Sequence, residues 1–183
     1  MKTGMKFKAE LMNREEVMRA LKRMAHQISE KNSGCDNLVL LGIKTRGIPL
    51  AKLLADFLMQ IEGSKVPVGE LDITLYRDDL SEIERDPVVT PPTLNFSVEG
   101  RIVVLVDDVI YTGRTARAAL DAVSSMGRAA RIQLAALVDR GHRELPIRPD
   151  FVGKNVPTAR YEVVSVMLDE TDGKTSVNLY SRK

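Results

Sequence analysis

Cysteine occurs once in the 183 residues, at Cys35, which excludes a disulfide framework and the paired spacing of a zinc ribbon. Charge of one sign is barely in excess. The 27 Lys+Arg stand against 25 Asp+Glu, and a net +2 does not by itself mark a nucleic-acid binder. Any basic surface has to come from local clustering. Long hydrophobic runs are missing too: Met1–Glu10 has no apolar stretch of the signal-peptide kind, and no run approaches the roughly 18 apolar residues of a membrane span. The expectation is a reducing, cytoplasmic location with no membrane partner. Repeats, low-complexity tracts and a G-x-x-x-x-G-K-[ST] loop are also absent. What is present, 44% apolar and 28% charged, is an ordinary soluble composition, and its length predicts a single domain over 1–183.

Asn13 with Glu16 three residues on reads as a capping box opening a helix to about Lys31, with Val17, Leu21, Met24 and Ile28 on one stripe. The apolar run 37–43 predicts a buried strand, and Ile48, Ala51, Leu54, Ala55 and Leu58 predict a helix ending at Gly63. Val66–Tyr76 reads as a further strand. Arg77–Glu99, with Pro87, Pro91 and Pro92, reads as a long flexible loop. Arg101–Val106 is a second buried strand, followed by a helix that Gly127 ends and then a strand over 131–138. Residues 139–160 look irregular and basic, and strands over 161–168 and 174–180 flank a turn at Asp172-Gly173. Alternating strands and helices predict an α/β chain with a mainly parallel sheet, whose ligands bind beyond the carboxyl ends of the strands.

At one such end, the run VVLVDDVIYTGRT places two carboxylates, Asp107 and Asp108, before a turn of Thr112, Gly113, Arg114 and Thr115 that opens a helix. Helix-start N–H groups and a glycine suit a phosphate monoester. The carboxylates suit hydroxyl donors or a metal's water shell. Together these describe a ribose 5-phosphate. At another strand end, Gly42–Gly47 (GIKTRG) offers Lys44 and Arg46 as cations for a second phosphate group.

Val103–Thr115 resembles the phosphoribosyl pyrophosphate (PRPP) motif of type I phosphoribosyltransferases, and the loop at 42–47 resembles their pyrophosphate loop. The stretches GIKTRGI, GELDITLYRDDL, VDDVIYTGRTARAALDA and IQLAALVDRGHRELPIRPDFVGKNVPT, with the spaced R-A-L-x-R-x-A-H of 19–26, resemble the PyrR family. That family comprises pyrimidine-operon attenuation regulators with uracil phosphoribosyltransferase activity. The resemblance implies the type I phosphoribosyltransferase fold, with a flexible loop about 77–99 and a small hood of 139–160 plus the C-terminal strands. It implies PRPP and uracil as substrates, UMP or UTP as effectors, Mg²⁺ carried with PRPP and held by no direct protein ligand, and a homodimer or homotetramer.

Carried onto this chain, Lys44, Arg46, Asp107 and Asp108 become the catalytic residues. Thr45, Arg46, Gly47, Arg77, Asp107, Asp108, Val109, Ile110, Tyr111, Thr112, Gly113, Arg114, Thr115, Arg140 and Val164 become the substrate contacts. Enzymes for 6-oxopurines carry an Asp where this chain has Tyr111, and orotate enzymes a T-G-G-S turn where it has Thr112-Gly113-Arg114-Thr115; uracil is the base that the PyrR resemblance implies. The match fails over 81–100, which leaves loop contacts from Arg85 without support.

On a wheel of about 3.6 residues per turn, Arg19, Lys22, Arg23 and His26 fall opposite the core stripe. Residues 139–160 hold a second excess of cations. In the family these regions bind a stem-loop of pyrimidine-operon mRNA, which implies RNA contacts from Arg19, Lys22, Arg23, His26, His142, Arg143, Arg148 and Lys154. Two other readings stay open: a uracil phosphoribosyltransferase without an RNA role, and a nucleotide-sensing RNA regulator with little catalysis.

Overall fold

The computed structural model describes residues 5–73 and 94–182. In chain order its elements are β1 (Met5–Met12), α1 (Arg14–Asn32), β2 (Leu38–Ile43), α2 (Gly47–Glu62), β3 (Val68–Leu71) and β4 (Ile102–Ile110). There follow α3 (Arg114–Met126), β5 (Arg131–Asp139), β6 (Phe151–Asn155), β7 (Glu162–Met167), α4 (Asp169–Asp172) and β8 (Ser176–Arg182). Strands β2 to β6 make one parallel sheet in the order β3-β2-β4-β5-β6, and a small antiparallel sheet runs β1-β8-β7.

The capping box forms as expected. Glu16 N–H donates to the Asn13 side chain at 3.0 Å, and the Asn13 N–H to the Glu16 carboxylate at 2.9 Å. Val17, Leu21, Met24 and Ile28 are buried, so Leu21→Ala would cost about 2–5 kcal/mol. Gly63 ends α2 in the left-handed conformation, and Gly127 follows the last residue of α3.

Successive residues of β4 feed opposite cores. Val104 and Val106 pack with α1 and α2, while Val103 and Leu105 pack with α3. Burial on both faces explains the unbroken apolar run.

Four boundaries differ from the expectation. β4 continues through Ile110, so the acid pair lies within a strand and not in a loop. β3 stops at Leu71, and residues 74–76 of the expected strand lie outside the described residues. Residues 139–160 are not all hood: Phe151–Asn155 is the edge strand of the parallel sheet. β1 was not expected; it joins β8 and β7 in the small sheet. Of the expected loop 77–99, only residues 94–99 are described, so Arg77 and Arg85 fall outside.

Candidate active site and basic surfaces

The strand order reverses at β2. Its chain successor β3 lies on one side and β4 on the other, so the turns after β2 and β4 meet at a switch point. Two glycines bring them close. A Cβ on Gly47 would stand 2.2 Å from the Val106 carbonyl oxygen, and one on Gly42 would stand 2.5 Å from the Ile48 Cα. Only bare backbone lets the turn 44–46 lie against β4.

Asp107 and Asp108 are half-buried at the end of this approach. The Asp108 N–H donates to the Asp107 carboxylate and the Val109 N–H to the Asp108 carboxylate, both at 2.9 Å. Burial pushes both carboxyls above their ordinary range, and the charge of Asp108 pushes Asp107 well above it. Backbone donation at Val109 and the nearby Arg46 guanidinium partly offset the rise at Asp108. Hydroxyl donors or a cation's water shell at these oxygens would offset that rise by favouring the charged form. Among the described residues no cluster of three or more His, Cys, Asp or Glu forms a metal cage.

Beyond the acids, Val109 to Thr115 line a cleft of about 340 Å³ together with Asp107, Leu134 and Glu144. Gly113 is left-handed (φ 95°) and caps α3 with no side chain of its own, while the Arg114 N–H donates to the Thr112 hydroxyl at 3.4 Å; the start of the helix thus opens on the cleft. The Arg114 guanidinium meets Glu144 at 3.0 Å, and the Glu144 and Leu145 N–H groups donate to the Thr112 carbonyl at 2.9 and 3.1 Å. Segment 144–145 thus braces the turn from outside.

Across the switch point, Lys44 is exposed and pairs with Asp72 at 3.2 Å, Thr45 is exposed, and the peptide between them is cis. Arg46 pairs with Asp172 of α4 at 2.8 Å. Sequence reasoning treated Asp172 only as a turn residue. The signal available was three acids within four residues, Asp169, Glu170 and Asp172.

Arg140 is buried. Its Nε donates to Thr158 at 3.1 Å and its Nη2 to the Glu162 and Ala159 carbonyls at 2.7 and 3.2 Å. Its guanidinium also covers the Tyr111 ring. The Glu162 carbonyl thus faces away from β8 on the open edge of β7. Val164, two residues on, turns its N–H and C=O to the same edge.

The expected RNA residues divide. Arg19, Lys22, Arg23 and His26 are all exposed on α1. Arg23 donates to the Val152 carbonyl at 3.4 Å and also to that of Gly153, and the neighbouring Lys154 donates to the Leu11 carbonyl at 2.7 Å. These five residues share one surface over α1 and β6. His142 and Arg143 belong elsewhere. The His142 ring nitrogen lies 2.5 Å from the Thr158 carbonyl, and Arg143 donates to Asp139 at 2.6 Å and to the Tyr111 and Ile147 carbonyls at 2.8 Å. Both support the Tyr111 turn from behind. Arg148 is exposed at the rim of a small cleft between α3 and β5.

The family described as a phosphoribosyl transferase domain matches residues 9–171. The bifunctional protein PyrR of Thermus thermophilus is 62% identical over 98% of this chain and 99% of its own, and that of Clostridioides difficile is 58% identical over 94% and 97%. Among solved structures, the hypoxanthine phosphoribosyltransferase of Trypanosoma cruzi aligns with a TM-score of 0.73 over 97% of this chain and 98% of its own. At 20% identity that likeness concerns the fold alone. Matched along nearly its whole length, the chain belongs to the phosphoribosyl transferase domain family and, within it, to the bifunctional PyrR proteins.

Proposed function

We propose that this chain joins the phosphoribosyl group of PRPP to uracil, releasing pyrophosphate and forming UMP, and that it also binds a stem-loop of pyrimidine-operon mRNA when a uridine nucleotide fills the site. The second activity would attenuate transcription of pyrimidine genes. One observation carries the catalytic half: the acid pair, the start of α3 and Arg46 converge on one switch point.

In this reading the 5′-phosphate rests on the N–H groups and hydroxyls of Thr112–Thr115, and the ribose hydroxyls donate to Asp107 and Asp108. C1 of the ribose gains oxocarbenium character as pyrophosphate departs, and Lys44 and Arg46 neutralise the charge that leaves. Mg²⁺ bound with PRPP would supply further charge neutralisation, and the carboxylate oxygens of Asp107 and Asp108 would accept hydrogen bonds from its waters. Uracil lies beside Tyr111 with its polar edge toward the Val164 backbone. Catalysis is then mainly positioning and electrostatics. Arg77 has a place in this scheme only through the resemblance.

The exposed cations of α1, with Lys154, carry the RNA half. A homodimer or homotetramer would set two such faces into one concave surface for a folded RNA. A second reading, a uracil phosphoribosyltransferase without an RNA role, is favoured by the internal commitments of His142 and Arg143.

The deciding experiment measures nucleotide formation from PRPP and Mg²⁺ with uracil, hypoxanthine or orotate in parallel. Uracil alone should be used. Turnover with another base would overturn the Tyr111 argument. Retention of a pyrimidine-leader stem-loop on a gel, with and without UMP and across ionic strengths, separates the two readings.

A further inference from the structure

The short turn α4 holds three acids, and each meets a cation from a different part of the parallel-sheet half of the molecule. Asp169 takes Arg14 at the start of α1, Glu170 takes Lys52 of α2 at 2.8 Å, and Asp172 takes Arg46 at 2.8 Å. The first two pairs are exposed, and exposed pairs contribute little.

The third pair is different. The Asp172 side chain is only 16% exposed, and both of its oxygens are engaged. Oδ1 accepts from Arg46, and Oδ2 accepts from the Leu168 N–H at 3.0 Å. The Asp172 N–H in turn donates to the Leu168 carbonyl at 2.7 Å, so the carboxylate has a fixed orientation. Arg46 is the last residue before α2 and has no side-chain cap to make there. Its Nε is buried and has no partner among the described residues, although a buried donor without an acceptor is costly. A long side chain of this kind loses considerable rotamer freedom when it is held in one place. Here the holding group comes from a distant part of the chain.

We infer that Asp172 is the positioning residue of the leaving-group site: it holds the Arg46 guanidinium between the hood and the β4 acids, with the side chain still one-third exposed toward the place where pyrophosphate would depart. This rests on the phosphoribosyl-transfer reading, which it extends by making the hood part of the pyrophosphate site. Asp172 touches no substrate and acts through Arg46.

The test compares D172N, D172E and E170Q with the native protein. The KM for PRPP, inhibition by pyrophosphate, kcat and the KM for uracil are measured, together with calorimetric titration of PRPP and Mg²⁺. D172N should raise the PRPP KM and the pyrophosphate inhibition constant about tenfold, because a freed Arg46 must be ordered again at each binding event. Values of kcat and uracil KM should stay within about threefold. D172E should recover part of the loss, and E170Q, from the same turn, should change nothing. If D172N does not fold, D172S replaces it with the same expectation, since its hydroxyl can still accept the Leu168 N–H.

An unchanged PRPP KM in the folded variant would overturn the inference. A lower KM would overturn it as well, and would make Asp172 a competitor for Arg46. If the native protein proves inactive with uracil, the functional reading falls, while PRPP titration of the same variants still decides the role of Asp172.

Discussion

The guanidinium carbon of Arg140 lies 4.1 Å from the centre of the Tyr111 ring. His142 meets the same ring edge-on at 5.8 Å, and Arg143 fixes the Tyr111 carbonyl. Tyr111 is thus held from several directions at the position expected to face the base. Arg140→Lys removes the planar stack and part of the bonding to Thr158, Ala159 and Glu162. We expect a loss of about 1–3 kcal/mol in stability and a rise of roughly tenfold in uracil KM, with PRPP KM little changed. Thermal melts and steady-state kinetics check both.

Asp107 illustrates a conflict between stability and binding. Its carboxyl stands well above the ordinary range because it is buried beside Asp108. The folded chain therefore holds that proton more tightly than the unfolded chain. The stability this gives is complete below the usual carboxylate pKa and is lost as pH rises through the raised value. Asp107→Asn should accordingly melt about 2–4 °C higher at pH 7, an advantage that shrinks toward pH 4, while PRPP binding is abolished. Calorimetry across pH with and without PRPP reads both effects.

Gly47→Ala puts a methyl group where 2.2 Å separates it from the Val106 oxygen. Since that neighbour is backbone, the turn or β4 must move, at about 1–3 kcal/mol or more. Because Arg46 rides on this turn, PRPP affinity should fall alongside stability. Urea unfolding and PRPP titration of the same preparation test the pairing.

On α1, Arg19→Ala with Lys22→Ala removes two exposed cations. Stem-loop affinity should fall, and its salt slope should flatten by about 1 for each phosphate the protein no longer neutralises, with UMP formation retained. Arg23→Ala should also lower the melting temperature, because Arg23 ties α1 to the Val152 and Gly153 carbonyls of β6. Equal salt slopes for the native and doubly substituted proteins would remove α1 from the RNA surface.

What could be read from the sequence was local. The cap at Asn13, the stripe from Val17 to Ile28 and the doubly buried Val103–Val106 each announce themselves within a few residues. The turn Thr112–Thr115 that opens α3 does too, because its residues are contiguous. β1 and β6 were hidden for opposite reasons. β1 alternates charged and apolar residues weakly and buries only Met12 fully, so its strand character depends on pairing with β8. In β6, Gly153 looks like a loop signal, yet it is there because a Cβ would strike the Leu137 oxygen at 2.4 Å. Asp172 stands 126 residues from Arg46, a separation over which no spacing rule operates. The two groups of basic residues looked equivalent in sequence because charge alone does not tell a solvent-facing arginine from one already bonded inside.

The pairing of β1 with β8 also sets a timetable for the growing chain. β1 leaves the ribosome ahead of the parallel sheet and its partner follows behind it, so the whole of that sheet is made in between. The sheet bearing the acid pair and the phosphate turn can therefore collapse while β1 is still an unsatisfied strand, waiting for an edge that does not yet exist. Only the segment from β7 to β8 supplies that edge, and with it the Glu162 carbonyl that Arg140 binds and the α4 clasp on Arg46. A chain cut short before β7 would keep the turn after β4 but lack both the edge that β1 needs and the carboxylate that holds Arg46.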